Sequence, residues 1–197
     1  MTQTDTDLTA LLGSRICHDL ISPLGAIGNG VELLELSGAA GPEITLIREA
    51  VAAANQRIRF FRVAFGATSN GQAMSAKDIT AIVNGDDHSK IDVNWPVAGD
   101  LPRAEVKLVF LALLCLETAL PYGGRIDVAL SDGEWRLNAQ ANRLVCDADL
   151  WGRLTQGVPA PAPAAAHLQF ALIGPELAAR GRQARIECGD NHIQIAF

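Results

Sequence analysis

The sequence predicts an α+β fold in which an antiparallel pair of helices precedes a mixed domain of helices and strands. Apolar residues recur at intervals of three and four as far as residue 65, which is typical of packed helices. A small, polar stretch follows at residues 66–72, and beyond it short alternating segments and turn signals indicate strands. With 197 residues, 49% hydrophobic and 19% charged, the chain has a globular composition.

The first predicted helix covers residues 8–37. Its main apolar positions alternate between spacings of four and three: Leu20, Leu24, Ile27, Val31 and Leu34. Gly25, Gly28 and Gly30 within it disfavour a helix by propensity, so the prediction depends on the periodicity and on packing against a neighbour. Residues 37–42 then predict a turn, with Pro42 suited to the first turn of a second helix.

The second helix continues the alternation from Ile44 to Phe65. A further apolar set on it is wider than one partner helix would cover: Leu46, Ala50, Ala53, Phe60 and Ala64. We therefore expect residues 1–68 to pair with a second copy as a homodimeric four-helix bundle.

The second predicted domain covers residues 74–197 and combines helices with a sheet. Ser75 is the expected N-cap of its first helix, and Asp132-Gly133 the expected hairpin turn. The predicted helices are residues 75–84, 103–120, 147–155 and 165–180, the last interrupted or kinked at Gly174-Pro175, and the predicted strands are residues 90–95, 125–131, 134–140, 183–188 and 192–197. Residues 158–163, rich in proline and alanine, predict an irregular loop.

Composition excludes several functional classes. A net charge of −6 and a pI of about 5.1 provide no basic surface for nucleic acid. No apolar run is long enough to span a membrane and the N-terminus is polar, so we expect a cytoplasmic protein without membrane contact. The four cysteines are scattered, without metal-site spacing, and are expected to be reduced thiols, mostly buried.

His18 is the candidate functional residue. At about 100° per residue it lies opposite the apolar stripe of its helix, so we expect its imidazole to face outwards. A lone histidine on a helix surface is more often merely solvated, and that alternative stands on position alone. Its expected neighbours within one to three turns are Leu11, Ser14, Arg15, Ile21, Ser22, Gly25 and Asn29.

The sequence motif around His18 favours a functional histidine over a merely solvated one. Residues 16–24, Ile-Cys-His-Asp-Leu-Ile-Ser-Pro-Leu, resemble the H-box of sensor histidine kinases, in which the histidine is followed by an acid, a leucine, two residues, a proline and a leucine. Pro23 inside a helix costs about 3 kcal/mol, which calls for a compensating use. An imidazole with an ordinary pKa of about 6.5 offers a neutral nitrogen that can attack phosphorus. We predict that His18 is the phosphoacceptor.

The longer string at residues 14–34 resembles the ChpT-type bacterial histidine phosphotransferases, and the resemblance extends more weakly over the whole chain. It implies a protein built like a dimeric histidine kinase, with a degenerate ATPase-like α/β sandwich domain that binds no nucleotide. The implied activity is that of a phosphotransferase in a phosphorelay. His18 would accept a phosphoryl group from a receiver-domain aspartate of a hybrid histidine kinase and pass it to response regulators of the cell cycle.

The sequence supports the loss of ATP binding. Kinase ATP domains place a magnesium-holding asparagine on a helix shortly before a Gly-Gly turn, and alignment on Gly123-Gly124 puts Cys115 at that position. The glycine-rich nucleotide boxes have no clear counterpart. We expect no cofactor and no metal site of its own, with Mg²⁺ supplied by the receiver domain. A histidine kinase with a divergent ATP domain and a non-catalytic dimeric scaffold that binds receiver domains are the alternatives.

Residues near His18 receive roles by the resemblance or by their positions on the helix. Asp19 matches the acid that, in the kinase family, helps the histidine act as a nucleophile, with plain solvation as the alternative. Ser22 lies one turn on from His18 and is placed to bind a phosphoryl oxygen, unless its hydroxyl bonds back to the helix carbonyls near Pro23. Arg15 is expected to pair with the phosphoryl group or the receiver's acidic rim. The remaining partner-binding residues are Leu11, Ser14, Ile21, Gly25 and Asn29. His88, His167 and His192 carry no motif, and with the three tryptophans they are expected to be structural.

Overall fold

The computed structural model describes residues 3–38, 40–69, 71–84, 90–156 and 165–197. Two long helices open the chain: α1 (Gln3–Leu36) and α2 (Pro42–Ala64). They run antiparallel, because Gly13 of α1 lies beside Phe65 at the end of α2, whereas Glu35 pairs with Arg48 near its beginning. The predicted helical hairpin is confirmed, and α1 begins five residues earlier than the periodicity indicated.

The apolar positions of α1 divide into two faces. Cys17 and Val31 are buried, and the backbone at Gly28 approaches Val51 of α2, so this face packs within the hairpin. A second face, roughly a quarter turn away, stays about half exposed. Its residues, the exposed stripe, are Ile16, Leu20, Ile27 and Leu34. The sequence predicted a single apolar line along α1. The apolar surface of α1 is instead wider than α2 alone can cover.

The second half is built on a five-stranded sheet in the order β2-β4-β5-β7-β6. Its strands are β2 (Ile91–Asn94), β4 (Gly124–Ser131), β5 (Glu134–Gln140), β6 (Arg185–Cys188) and β7 (His192–Ala196). β2 runs parallel to β4, and the other neighbours are antiparallel. In the described part of the chain four helices accompany it: α3 (Ala76–Val83), α4 (Arg103–Ala119), α5 (Ala148–Gln156) and α6 (Leu168–Ala178), the last preceded by a single 3₁₀ turn.

Local signals in the sequence placed most of these elements. The Oγ of Ser75 accepts a hydrogen bond from the amide of Asp78 at 3.1 Å, as an N-cap does. Asp132 and Gly133 both have positive φ, 53° and 80°, which suits the tight turn between β4 and β5. α6 continues through Pro175 without interruption. The predicted loop at 158–163 and His88 lie outside the described residues.

One small element was not predicted. β1 (Ala73–Met74) pairs antiparallel with β3 (Leu101–Pro102), and the amide of Arg103 donates to the carbonyl of Gln72. This two-residue ladder ties the segment after the hairpin to the beginning of α4.

The core lies between α4 and the sheet. α4 is buried along almost its whole length, and Trp135 of β5 is 1% exposed. The end of α2 joins this core, since the ring centroids of Phe60 and Phe110 are 4.5 Å apart. Trp95 and Trp151 are also buried, so the structural role predicted for the tryptophans is confirmed.

Polar contacts fix the hairpin to the second half of the chain. Arg57 of α2 makes a bidentate ion pair with Glu117 of α4, with bonds of 2.9 and 2.6 Å. Arg103 donates to the carbonyl of Arg62 at 2.9 Å. No helix among the described segments combines the length and the apolar character that crossing a bilayer requires.

The cysteines differ from the sequence expectation. Cys17 and Cys115 are buried, but Cys146 and Cys188 are exposed and lie beside each other. The expectation of mostly buried thiols is wrong for this pair, because Cys188 is on the edge strand β6 and Cys146 is in the segment just before α5.

Candidate functional site

His18 lies on the open side of α1. Its side chain is 82% exposed, as the sequence predicted. The buried residue before it, Cys17, faces the hairpin, and burial raises the pKa of that thiol. Two residues correspond to about 200° around a helix, so His18 lies roughly opposite Ile16 and the exposed stripe. Any surface that covered the stripe would leave the imidazole accessible.

The imidazole is held by the carboxylate of the next residue. Nδ1 of His18 lies 3.2 Å from Oδ1 of Asp19. Nε of Arg15 donates to Oδ2 of the same carboxylate at 2.7 Å. The hydrogen bond with His18, and then that with Arg15, lowers the pKa of Asp19 below its ordinary value, so Asp19 is a carboxylate at neutral pH.

This arrangement selects one tautomer of the ring. An ionised carboxylate has only acceptor oxygens, so a hydrogen bond to Asp19 requires the proton to be on Nδ1. The neutral ring then carries its lone pair on Nε2. A nitrogen lone pair of this kind can attack phosphorus.

Small and polar residues surround the imidazole along the helix. Ser22, one turn on, is exposed, as are Gly25 and Asn29. A side chain at Gly25 would meet nothing within 4 Å, so the surface is open there. Leu11 is 58% exposed on the same side, consistent with the apolar contact expected of it. One continuous face, the His18 face, is formed by His18, Leu11, Ser22, Gly25 and Asn29.

Two of the predicted partner-binding residues are less open. Ser14 is half-buried, and its Oγ accepts a hydrogen bond from the amide of Ala67 at 3.1 Å. Ile21 is also half-buried, so its side chain offers only part of its surface to a partner. The contact of Ser14 joins α1 to the segment after α2, 53 residues along the chain.

The sequence did not predict the close contact between α1 and the end of α2 that lies near His18. A Cβ atom at Gly13 would lie 3.2 Å from both Cβ and the carbonyl oxygen of Phe65, tighter than an ordinary contact. The glycine thus allows α1 to approach the end of α2, next to the Ser14–Ala67 bond. Gly13, which lies shortly before the motif at residues 16–24, is the feature of the sequence that could have indicated this contact.

Pro23 lies inside α1 without ending it. Because proline has no amide hydrogen, the carbonyl of Asp19 lacks the helix bond that residue 23 would otherwise donate. The residue immediately before Pro23 is Ser22, which is exposed.

The second half of the chain supplies no comparable cluster within the described residues. Cys115, predicted from the sequence to align with the kinase asparagine, is fully buried in α4, and burial raises its pKa well above the ordinary value. A buried neutral thiol is no ligand for Mg²⁺, which prefers oxygen. In the described ranges no group of three or more acidic, histidine or cysteine residues is arranged to hold a metal.

Comparisons with known proteins find chains that are similar to this one. The family model described as the C-terminal domain of histidine phosphotransferases matches residues 76–192. The protein phosphotransferase ChpT of Brucella abortus (strain 2308) is 40% identical over 137 residues, which cover 68% of this chain and 66% of that protein, just under two thirds of its length. A crystal structure described as a bacterial phosphotransferase aligns over 100% of this chain and 97% of its own, with 28% identity and a TM-score of 0.69.

Proposed function

The chain belongs to the histidine phosphotransferase family, and from this premise we propose that it carries phosphoryl groups between receiver domains by way of His18. The donor is the phosphorylated aspartate of a hybrid histidine kinase's receiver domain, and the acceptors are aspartates of response regulators of the cell cycle. The observation that carries the proposal is the exposed imidazole whose Nδ1 is held by Asp19.

To accept the phosphoryl group, this chain has to position the imidazole of His18 and stabilise the positive charge that forms on the ring. Nε2 of His18 attacks the phosphorus of the donor's acyl phosphate, and the bond from phosphorus to the aspartate oxygen breaks as the carboxylate leaves. The ring becomes positively charged when Nε2 is phosphorylated. The carboxylate of Asp19, accepting from Nδ1 at 3.2 Å, stabilises that charge.

Delivery is the same step in reverse on another protein. An aspartate carboxylate of the response regulator attacks the phosphorus, and Nε2 of His18 leaves as a neutral imidazole nitrogen with its lone pair restored. Asp19 keeps the proton on Nδ1 throughout, so no proton has to be exchanged with solvent. Phosphoryl flow in either direction is therefore possible, and the relative stability of the two phosphoaspartates sets its direction.

Neighbouring side chains assist the transferred group. The hydroxyl of Ser22 is exposed one turn from His18, which suits a hydrogen bond to a phosphoryl oxygen. Arg15 is 75% exposed and is bound through Nε, so its remaining guanidinium donors can meet the phosphoryl group or the acidic rim of a receiver. Mg²⁺ comes from the receiver's own acidic pocket, and this chain contributes no cofactor.

The hairpin works as a homodimer. The exposed stripe places four large apolar side chains in a line along α1, and Leu46 and Ile47 add exposed apolar surface on α2. A second copy that covered this surface would form a four-helix bundle. Because His18 lies on the other side of α1, both imidazoles of the dimer would remain open to a receiver in the cytoplasm.

The alternative that the protein is a histidine kinase is tested by comparing two phosphoryl donors. The purified protein is incubated either with a phosphorylated receiver domain or with labelled ATP and Mg²⁺ alone. We expect acid-labile label from the receiver and none from ATP. Self-labelling from ATP would make the protein a kinase and overturn the carrier assignment. Failure of every phosphorylated receiver tried would favour a scaffold.

A further inference from the structure

Two cysteines that play no part in phosphoryl transfer lie side by side at the edge of the sheet. Cys146 follows β5 and precedes α5, and Cys188 is the last residue of β6. Their sulfur atoms are 2.7 Å apart, although the residues are separated by 42 positions in sequence. Both residues are exposed. Two sulfurs at this distance are closer than unbonded sulfurs normally pack.

The backbone on each side of this contact is fixed by hydrogen bonds. Next to Cys146, the amide of Val145 donates to the carbonyl of Ala119 at 3.0 Å, and Oδ1 of Asp147 accepts from two amides at the start of α5. Cys188 is paired with Ile193 of β7 in the antiparallel ladder. The thiols are therefore brought together by the regular structure around them, and a bond between them requires little movement of the chain.

We propose that Cys146 and Cys188 form a reversible disulfide by exchange with a low-molecular-weight disulfide such as oxidised glutathione. The inference rests on the geometry of this pair and is independent of the role of His18. It identifies an oxidation site in the second half of the chain.

The exchange proceeds in two balanced steps. The thiolate of Cys146 attacks one sulfur of the small disulfide, whose S–S bond breaks; the departing thiolate takes up the proton that Cys146 lost. The thiolate of Cys188 then attacks the Cys146 sulfur of this mixed disulfide, and the second small thiolate leaves with the proton of Cys188. Two protein thiols are oxidised, and one small disulfide is reduced to two thiols.

The contact between the two thiols also affects how readily Cys188 loses its proton. Partial desolvation of the sulfur, and then the hydrogen bond with Cys146, raises the pKa of Cys188 to about 12 while both thiols are free. Once the Cys146 sulfur is in a mixed disulfide, it is no longer a thiol that raises this pKa, so Cys188 can lose its proton and attack a sulfur already in contact. Attack in the opposite order gives the same disulfide.

The disulfide would fasten the start of α5 to strand β6. α5 packs on α6 through Trp151, whose ring meets that of Phe170 edge-on with centroids 5.2 Å apart. A covalent link at its N-terminal end adds a constraint that this contact does not provide. Oxidation should therefore slow amide exchange in α5 and leave the amides around His18 unchanged.

Peptide mapping of the full-length protein tests the proposal. The protein is treated with oxidised glutathione, its free thiols are alkylated, and it is digested without reductant. We expect one cross-linked product that joins the peptides of Cys146 and Cys188, lacks two hydrogens and separates on reduction. In Cys188→Ser, glutathione should accumulate on Cys146 because no second thiol displaces it. Cys17→Ser, which removes a distant thiol, should cross-link like the wild type.

Three results would overturn the proposal: free thiols at both positions after treatment, stable glutathione adducts on both cysteines of the wild type, or a link between two chains in place of the link within one. The mapping of the wild type decides among these even if the Cys188→Ser variant does not fold.

Discussion

Nδ1 of His18 lies 3.2 Å from Oδ1 of Asp19, so consecutive residues of one helix form the central polar contact of the site. Adjacent helical side chains point about 100° apart and do not usually face each other. Here both are exposed, and the second carboxylate oxygen of Asp19 is held by Arg15. The contact gives the carboxylate a definite role, which is to keep the proton on Nδ1 and the lone pair on Nε2.

Replacing Asp19 by asparagine should slow phosphoryl acceptance by about 10²-fold, the size of a lost acid–base or orienting partner. An amide can donate as well as accept, so it no longer enforces the productive tautomer, and it does not stabilise the positive ring. The rate of transfer from a phosphorylated receiver measures the effect. Glu32→Gln, an exposed charge removal on the same helix, is the matched control and should transfer at the wild-type rate. Equal rates for both variants would contradict the role of Asp19.

Dimerisation through the exposed stripe predicts that Ile27→Glu weakens self-association by about 10²-fold or more. Ile27 is about half exposed in one chain, and in the bundle a charge there would be buried without a partner, which costs several kcal/mol. Light scattering over a dilution series measures the change. Leu130→Glu places the same charge on an exposed leucine of β4 and should leave the dimer intact. A wild-type protein that is monomeric at high concentration would contradict the bundle.

The ion pair between Lys107 of α4 and Glu176 of α6 predicts a large effect on stability. Its atoms are 2.6 Å apart, and the two side chains are only 6% and 11% exposed. Lys107→Met should lower the free energy of unfolding by about 3 kcal/mol, because among the described residues it leaves the buried carboxylate of Glu176 with Arg180 as its remaining ion-pair partner. Arg125→Met breaks an exposed pair and should leave the free energy of unfolding nearly unchanged. Urea denaturation compares the two, and similar losses would contradict the distinction.

The same pair predicts how stability depends on pH. Burial alone would raise the pKa of Glu176, but the hydrogen bond and charge of Lys107, and then those of Arg180, outweigh it and lower the pKa below its ordinary value. A depressed carboxyl pKa contributes stability above the unfolded value of about 4.3, and this contribution disappears as the pH falls through the folded value. The difference in unfolding free energy between wild type and Glu176→Gln should therefore shrink below about pH 4. A constant difference would contradict this coupling.

The sequence predicted the hairpin and the exposure of His18 because both follow from helical periodicity, a local property. It did not predict how the apolar positions divide: Val31 faces α2, whereas Leu20 and Ile27 are exposed, and only the number of neighbouring helices decides that. The periodicity of apolar residues shows which positions share one face of a helix. It does not show which helix or sheet packs on that face.

Contacts between distant residues were beyond the reach of the sequence. The Ser14–Ala67 bond and the Cys146–Cys188 contact join positions 53 and 42 residues apart, and neither has a local signature. The ladder of β1 and β3 has only two residues in each strand, too few to show an alternation. Such features depend on how α2 and the sheet pack against α4.

Phosphoryl transfer from a phosphorylated receiver domain to the wild type and to His18→Gln tests whether His18 carries the phosphoryl group. The imidazole is 82% exposed, so the variant should fold like the wild type, which circular dichroism can verify. We predict acid-labile label on the wild type that a second receiver removes, and no label on the variant. Label that persists on folded His18→Gln would place the phosphoryl group on another residue and contradict the account.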